Sequence, residues 1–389
     1  MRETAAAARW RQAQTWIGHG AEAIDTPSLV IDLDAMERNL ARMAAFASDH
    51  GLRLRPHAKM HKSAELALLQ MRHGAVGVCV QKTDEALALS EAGVSDIYIS
   101  NEVIAPSKLL RLALAVRQQT TRFAIAVDSL AGIERLAQAL HAAGVTTPGS
   151  MDVFIEIDVG HGRCGIPPGA AALPLAQAIA QHASLRFGGL QAYHGAAQHH
   201  RAGTERAAAM ARSTLAVQDT CRQLDAGDFK VPLVTGAGTG TFTHEAASGV
   251  WGELQTGSYL FMDADYAANE TDPLAPVFEH ALFVKSQVMS RQASHAVCDA
   301  GHKSHAIDSG MPSVWFPGGL VYTSGGDEHG VLRASDGAPL PELGEVVWLV
   351  PGHCDPTVNL HDVMVGVRGG LAAGVVERVV RVDARGCLG

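Results

Sequence analysis

Hydrophobic and polar positions alternate along the middle of the chain with two different periods. Short apolar runs recur, and most of them are separated by a segment whose apolar residues repeat at helical spacing. The predicted strands are 53–55, 76–80, 97–100, 123–127, 153–157, 187–192, 233–235 and 253–256. The predicted helices include 83–91, 106–117, 130–142, 170–181 and 204–224. This order predicts an α/β fold, a (β/α)8 TIM-type barrel, with a doubly wound open sheet as the alternative.

The pattern changes beyond residue 273, where short strands follow one another without long helices. The predicted strands there are 282–288, 296–298, 319–322, 330–333, 346–350, 363–367 and 375–382. They indicate a C-terminal all-β domain, 274–389, after a barrel that occupies 34–273. A strand at 28–32, in an N-terminal arm of residues 1–33, is left over from the barrel and is expected to pair with the β-domain. Asp34 and Glu37 have the spacing of a helix-capping box.

Polar residues follow most of the predicted barrel strands. Because the active sites of such barrels lie at the carboxyl ends of the strands, these residues are the candidates for function. The sequence places there Lys59, Gln81, 158–163, Tyr193 with 198–199, 235–241 and 255–259.

Lys59 lies just past a strand end, in a cluster of cationic and imidazole side chains. Its neighbours are Arg55, His57, His61 and Lys62. Close positive charges disfavour an ammonium group, so Lys59 is expected to provide a nucleophilic amine that can form a Schiff base. A basic loop with a solvated lysine is the alternative.

The segment 236–241 is rich in glycine, which lets backbone N–H groups converge on an anion. It has neither the Lys-Ser/Thr ending of a P-loop nor the spacing of a dinucleotide-binding motif. It follows the seventh predicted strand, where barrels frequently hold a phosphate. The segment therefore predicts a site for a cofactor or mononucleotide phosphate, and a glycine turn without a ligand is the alternative.

His353 and Asp355 lie two residues apart near the end of the chain. In an extended chain both side chains would face one site, while Cys354 would face away. An imidazole and a carboxylate suit a divalent ion such as Mn²⁺, Mg²⁺ or Zn²⁺ with open positions for substrate. A purely structural role for the pair is the alternative.

Composition and charge narrow the class of protein. The 389 residues are 47% hydrophobic and 18% charged, as in soluble globular proteins, and the net charge of -9 argues against a nucleic-acid partner. No apolar run approaches the roughly 20 residues of a membrane span, and residues 1–20 lack a secretory signal pattern. The six cysteines form no C-x-x-C pair. A cytoplasmic protein without membrane contact is expected.

Five longer motifs resemble, in the same order, those of the D-threonine aldolase and D-serine dehydratase-like family. They are 55–62, 190–195, 235–241, 253–263 and 351–362, and the likeness runs from about residue 25 to 385. This resemblance implies a fold-type III pyridoxal 5'-phosphate enzyme with an alanine racemase-like barrel and an accompanying β-domain. It also implies a homodimer and a divalent metal beside the cofactor.

Carried over position by position, the resemblance assigns roles to individual residues. It implies that Lys59 holds pyridoxal phosphate as a Schiff base, that His353 and Asp355 bind the metal, and that His199 works with the metal-bound water as base. The other cofactor-binding residues that it implies are Arg163 and Tyr193 near the pyridine ring, Gln81, Thr235 and Gln255, and, around the phosphate, Gly238, Thr239, Gly240, Gly257, Ser258 and Tyr259.

Two reactions are compatible with this chemistry, because pyridoxal phosphate stabilises a carbanion at Cα and the protein decides which bond breaks. A base that removes the proton of the substrate's 3-hydroxyl leads to Cα–Cβ cleavage into glycine and an aldehyde, the reaction of an aldolase. Candidate substrates are D-threonine, D-3-phenylserine and D-3-hydroxyaspartate. Loss of hydroxide instead is the reaction of a D-serine or 3-hydroxyaspartate dehydratase.

Within the family, His-x-Cys at the metal site resembles the dehydratases and His-x-Asp the aldolases. The sequence 353–355 therefore favours an aldolase, and a shifted register that offers the sulfur of Cys354 is the alternative. A third possibility is a non-catalytic pyridoxal-phosphate-binding protein. Such proteins are single barrels, so residues 274–389 argue against it.

Overall fold

The computed structural model describes residues 4–335 and 337–389. In chain order the first elements are α1 (Ala5–Gln14), β1 (Ser28–Asp32) and α2 (Leu33–Asp49). Asp32 caps α2, because its carboxylate accepts a hydrogen bond from the N–H of Ala35 at 3.0 Å. The predicted capping box is wrong: Asp34 and Glu37 bind Arg368 of the β-domain instead.

Eight parallel strands form the barrel, as the sequence predicts. Their bounds are β2 (Arg53–Leu54), β3 (Val78–Val80), β4 (Asp96–Ile99), β5 (Arg122–Val127), β6 (Met151–Glu156), β7 (Leu185–Ala192), β8 (Val234–Gly236) and β9 (Glu253–Leu254). The sheet order is β2-β9-β8-β7-β6-β5-β4-β3. Its two ends meet, since the carbonyls of Leu54 and Pro56 accept the N–H groups of Val76 and Cys79 at 2.9 and 2.8 Å.

Helices cover the outside of the barrel. They are α3 (Ala64–Arg72), α4 (Thr83–Glu91), α5 (Pro106–Gln118), α6 (Leu130–Ala142), α7 (Ala172–Ala180), α8 (Gly203–Ala226) and α9 (Phe242–Ser248). The short helix α10 (Ala264–Ala267) lies against the β-domain instead, where the N–H of Ala264 donates to the carbonyl of Pro351 at 3.0 Å. Short 3-10 turns follow three of the strands, at Ala58–Met60, Ala196–His199 and Ser258–Leu260. Within the described residues, none of the helices has the length and apolar character needed to span a lipid bilayer.

The second sheet is mainly antiparallel and builds the β-domain. Its elements are β10 (Leu282–Arg291), β11 (Ala296–Cys298), β12 (Ser313–Phe316), β13 (Leu320–Ser324), β14 (Gly330–Ala334), β15 (Val346–Val350), α11 (Cys354–Val358), β16 (Val363–Arg368) and β17 (Val375–Arg381). Strand β1 lies in this sheet, antiparallel to β10 and parallel to β16. The sequence pattern missed β12, because among the described strands it pairs only with β15 and it leaves Trp315 and Phe316 exposed.

One hydrophobic cluster joins the barrel to the β-domain. Met36 of α2, Phe261 after β9, and Leu282 and Leu349 of the β-domain are all buried in it. Burying side chains of this size stabilises the fold by about 1.5–3 kcal/mol each. The cluster therefore fixes the carboxyl ends of the barrel strands against the β-domain, and the functional residues lie in that region.

Candidate active site

A cavity of about 350 Å³ opens at the carboxyl ends of the barrel strands, with the β-domain as one wall. It is lined by most of the residues that the sequence singled out, namely Lys59, Gln81, Arg163, Tyr193, His199, Gly238, Thr239, Gln255, Gly257, Ser258, His353 and Asp355. These residues come from distant parts of the chain. A cavity of this size and polarity is typical of a small-molecule site.

Lys59 extends into this cavity from the 3-10 turn that follows β2. Its Nζ lies 3.1 Å from Oδ2 of Asp355. The attraction to this carboxylate raises the pKa of Lys59 above its ordinary value, against the opposing effect of burial. In this arrangement the lysine is an ammonium group.

The expected activation of Lys59 by its cationic neighbours is therefore wrong. Arg55 pairs with Asp96 at 2.5 Å, and Lys62 pairs with Glu85 at 2.5 Å. Each of these positive charges is therefore balanced by a carboxylate. Burial lowers the pKa of the His57 imidazole well below its usual range, which keeps that ring neutral.

The glycine-rich loop offers unused backbone donors to the cavity. Across the described residues, the N–H groups of Gly238, Thr239 and Gly257 donate no hydrogen bond to the protein, and all three residues line the cavity. A Cβ at Gly257 would lie 3.0 Å from the carbonyl oxygen of His57, so the backbone approaches closely here. Such a set of donors fits the phosphate of a cofactor.

Three residues of the expected cofactor set support the loop and do not line the cavity. The N–H of Gly240 donates to Oε1 of Gln198 at 2.9 Å. The Thr235 hydroxyl donates to Glu253 at 2.8 Å. Tyr259 is fully buried, and its hydroxyl accepts from Gln70 at 3.1 Å. Tyr259 still orders the loop, because its N–H donates to Oγ1 of Thr239 at 3.0 Å.

Arg163, Tyr193 and Gln81 form the barrel side of the cavity. The Arg163 guanidinium lies 6.0 Å from the centroid of the Tyr193 ring. The Gln81 amide donates to Nε2 of His57 at 2.9 Å, which agrees with a neutral imidazole. This wall presents an aromatic ring and a cation, groups that can pack against a planar heterocycle.

His353 and Asp355 face each other on the β-domain wall. Nε2 of His353 lies 3.9 Å from Oδ1 of Asp355, and that Oδ1 is buried and has no hydrogen-bond partner in the part of the chain that the structure describes. Burial raises the pKa of Asp355, but attraction to Lys59 and His353 outweighs this effect and lowers it. An unpartnered carboxylate oxygen beside a ring nitrogen fits a divalent cation. Among the described residues, no third histidine, cysteine or carboxylate is placed to bind the same ion as this pair.

The local conformation of this motif differs from the expected extended strand. His353 is extended, but α11 begins at Cys354, because the Asp263 carboxylate accepts the Cys354 N–H at 3.0 Å. Pro356 is tolerated in this first helical turn, where N–H groups have no intrahelical partner. Cys354 nevertheless faces away from the cavity, with its Sγ 3.5 Å from the carbonyl oxygen of Met262.

Two carboxylates that the sequence analysis missed orient the histidines. Oδ2 of Asp265 lies 2.8 Å from Nδ1 of His199 and leaves Nε2 of that ring without a hydrogen-bond partner among the described residues. Oδ2 of Asp308 lies 2.7 Å from Nδ1 of His353 and leaves its Nε2 toward Asp355. Each carboxylate lies far from its histidine in the sequence, so only the fold brings the pairs together.

Glu245 lies in α9, directly after the glycine-rich loop, and its ionisation is expected to make the stability of the protein depend on pH. Burial raises its pKa to about 8, and its Oε2 has no hydrogen-bond partner within residues 4–335 and 337–389. The neutral acid therefore contributes stability that is complete below the unfolded pKa near 4.5 and is lost as the pH rises to about 8. In Glu245→Gln we expect the melting temperature to exceed that of the wild type by an amount that grows to about 5 °C at pH 8 and is constant above it.

Thermal unfolding of the cofactor-free protein between pH 5 and 9 checks this expectation. Glu205→Gln, a substitution at an exposed glutamate of α8, is the matched control and should show a constant difference. A constant difference for Glu245→Gln as well would contradict the prediction.

Comparisons with known proteins agree with this architecture. The alanine racemase N-terminal domain family matches residues 31–265, and the putative serine dehydratase domain family matches residues 281–367. A D-threonine aldolase of Arthrobacter sp is 46% identical over 93% of each chain. A 3-hydroxy-D-aspartate aldolase of Paracoccus denitrificans is 40% identical over 95% of this chain and 94% of its own. The crystal structure of D-threonine aldolase from Filomicrobium marinum superposes with a TM-score of 0.91 at 47% identity, covering 96% of this chain and 99% of that one.

The fold and the cavity thus define an alanine racemase-like barrel protein with a β-domain that closes its active site. The chain belongs to the D-threonine aldolase and D-serine dehydratase-like family. Membership of this family implies pyridoxal phosphate as the cofactor, and Lys59 with the unused backbone N–H groups provides a fitting site for it.

Proposed function

We propose that this protein is an aldolase that cleaves D-3-hydroxy amino acids reversibly into glycine and an aldehyde, with pyridoxal phosphate and a divalent metal. The observation that carries the proposal is the convergence of a lysine, a His-Asp pair and an oriented histidine on one cavity. Lys59 lies 3.1 Å from Asp355, whose other oxygen faces His353, and His199 lines the same space.

The chain would hold the cofactor by both of its ends. Lys59 supplies the amine, and the N–H groups of Gly238, Thr239 and Gly257 supply donors for the phosphate. Tyr193 and Arg163 border the space between these ends and orient a planar ring. Pyridoxal phosphate, when bound, supplies the electron sink that weakens the bonds to the substrate's Cα.

His353 and Asp355 would hold Mn²⁺, Mg²⁺ or a similar ion, which supplies the positive charge that acidifies the substrate hydroxyl. Oδ1 of Asp355 is the natural ligand, because it is buried and otherwise unpartnered. Asp308 fixes the His353 ring so that Nε2 faces this oxygen. Both side chains thereby place the substrate's 3-hydroxyl next to Lys59.

Cleavage requires that the 3-hydroxyl loses its proton, and His199 is the candidate base. Asp265 binds Nδ1 of His199 and is itself held by Arg201, so the ring keeps one orientation with Nε2 free. The sulfur of Cys354 points away from the cavity, which leaves Asp355 in the ligand register. This arrangement favours the aldolase over the dehydratase.

Substitution of His199, the proposed base, should lower the rate of cleavage and leave the cofactor bound. In His199→Ala we expect kcat to fall about 10²- to 10⁴-fold, the usual contribution of a general base. KM and the absorption spectrum of the bound cofactor should change little, because His199 touches neither Lys59 nor the phosphate loop. Asp265→Asn should give a smaller loss of kcat. Equal kcat in His199→Ala and the wild type would contradict the role.

The experiment that tests the proposed function is a product assay on a panel of D-3-hydroxy amino acids. D-threonine, D-3-phenylserine and D-3-hydroxyaspartate are incubated with the purified holoenzyme and Mn²⁺, and glycine, aldehyde, keto acid and ammonia are quantified. Glycine and aldehyde in equal amounts are expected. Keto acid and ammonia as the main products would establish the dehydratase instead.

We also infer that the protein is a homodimer with a small-molecule amino acid as its substrate. The exposed Trp315, Phe316 and Val321 give the β-domain an apolar surface that a second copy can cover. Light scattering should give about twice the chain mass of 40.9 kDa. A mass of one chain at micromolar concentration would reject the dimer.

A further inference from the structure

The 3-10 turn that carries His199 is capped by two other histidines. The first N–H groups of a helical turn have no acceptor within that turn. Here the N–H of Ala196 donates to Nδ1 of His161 at 2.8 Å, and the N–H of Ala197 donates to Nδ1 of His194 at 3.3 Å. Two imidazole nitrogens thus take the place of the serine or aspartate oxygen that usually caps a helix.

His161 reaches this turn from a different barrel loop, the one that follows β6. That loop is folded around a carboxylate, because Oδ1 of Asp158 accepts the N–H groups of Gly160 and Gly162 at 2.9 and 3.0 Å. His161 lies 35 residues before Ala196 in the sequence. Its ring therefore connects the end of β6 to the turn that follows β7.

Both histidine rings occupy space that a glycine leaves open. A Cβ at Gly195 would lie 2.4 Å from Cε1 of His161, and a Cβ at Gly160 would lie 2.7 Å from Nε2 of His194. Each ring thus packs against the glycine that adjoins the other histidine. The φ of Gly195 is -62°, which alanine adopts equally well, so the ring of His161 is the reason that glycine is needed there.

The two rings have to be neutral to accept these hydrogen bonds. A protonated imidazole carries hydrogen on both nitrogens and has no acceptor left. Burial and the charge of Arg163 lower the pKa of His161, and burial lowers the pKa of His194. At pH 7 both rings are therefore mainly neutral, with the proton on Nε2 and the lone pair of Nδ1 directed at the turn.

We propose that His161 is a positioning residue, which places His199 in the cavity by capping the turn that carries it. The inference rests on the proposed function, in which His199 removes the proton of the 3-hydroxyl. Asp265 orients the His199 ring, but 54% of that side chain is exposed, so packing around it contributes little to its position. The capped turn has to supply it, and a displacement of a catalytic group by about 1 Å can lower a rate about 100-fold.

His161→Phe tests the inference, because phenylalanine keeps a ring of similar size and removes the acceptor. In the holoenzyme with Mn²⁺ and D-threonine we expect kcat to fall about 10- to 100-fold, with little change in KM or in the absorption of the cofactor. The turn should not unfold, since the buried amide of Gln198 still donates to Thr241 at 2.8 Å. His161→Asn has an amide oxygen that can replace Nδ1 as acceptor and should restore kcat to within about threefold of the wild type.

A double substitution distinguishes positioning of the base from a general structural defect. If His161 acts through His199, then His161→Phe should change kcat by less than about twofold in the His199→Ala background. Gly195→Ala should lower kcat as His161→Phe does, because the new Cβ displaces the ring. His141→Phe, at an exposed histidine in the last turn of α6, is the matched control and should leave kcat unchanged.

An equal loss of kcat from His161→Phe in the wild-type and His199→Ala backgrounds would overturn the inference. Full kcat in folded His161→Phe or Gly195→Ala would also overturn it. If His161→Phe does not fold, Gly195→Ala is compared in the same two backgrounds and decides. Acetaldehyde release from D-threonine by the wild type shows in each of these cases that the proposed function holds. The absence of aldehyde from every substrate of the panel would reject the function, and the inference with it.

Discussion

Lys59→Ala is expected to lose the visible absorption of the covalently bound cofactor and essentially all aldolase activity. The covalent link needs a primary amine inside the cavity, and Lys59 is the only lysine among the described residues that line it. The phosphate donors at Gly238 and Thr239 are untouched by the substitution, so non-covalent cofactor binding should persist at reduced affinity. Absorption spectra and a D-threonine cleavage assay measure the two effects.

Lys82→Ala is the control, because Lys82 directly precedes α4 after the next barrel strand and does not line the cavity. It should keep both the absorption and the activity. Lys62 is a poorer control, since its ion pair with Glu85 at 2.5 Å is buried and its loss would disturb the fold. Retention of absorption and turnover by Lys59→Ala would move the assignment to another amine and overturn the proposed site.

The barrel and its functional end could be predicted because both depend on local patterns. Apolar runs of strand length alternate with helical periodicity, and a barrel then places residues such as Lys59 and Gly238 at the carboxyl ends of its strands. The structure brings both to one cavity. The edge strand β12 lacked such a signal, because its side chains are mostly exposed.

The electrostatics of the site could not be predicted from sequence neighbours. Arg55 and Lys62 lie close to Lys59 in the sequence, but their charges are balanced by Asp96 and Glu85 from other segments. Asp355, almost 300 residues away, dominates the pKa of Lys59 and reverses the expected direction. Tertiary contacts, which no local pattern encodes, therefore set the protonation of the lysine.

The glycine-rich loop could likewise be predicted only in part, because its composition is visible in the sequence but its contacts with distant residues are not. Its glycine content predicts that another group lies close to the backbone. In the structure, part of the space next to the glycines is filled by a side chain of the protein. A Cβ at Gly238 would lie 2.4 Å from Oε1 of Gln198, whose amide is fixed by hydrogen bonds to Thr241 and the carbonyl of His194. The glycine thus accommodates a buried side chain on one face and exposes its N–H on the other.

Removal of divalent cations is expected to abolish cleavage while the cofactor remains bound, because separate residues would hold the two groups. After chelation with EDTA the absorption of the holoenzyme should be unchanged, and Mn²⁺ should restore turnover. Asp355→Ala should behave like the chelated enzyme, with Mn²⁺ affinity reduced by more than about 100-fold, since it removes one of two protein ligands and not an outer-shell partner.

Cys354→Ala is the matched control for this last prediction, because Cys354 adjoins Asp355 but faces the Met262 carbonyl. It should cost about 1 kcal/mol of stability through the lost buried sulfur and leave Mn²⁺ affinity and turnover near the wild-type values. Titration with Mn²⁺, in which the free ion is measured by electron paramagnetic resonance, gives the Mn²⁺ affinity of both variants. It thereby separates loss of the metal from a catalytic defect. If the chelated enzyme keeps full activity, or if Cys354→Ala loses Mn²⁺ and Asp355→Ala does not, then His353 and Asp355 are not the metal site, and the role of this wall in cleavage has to be assigned to other residues.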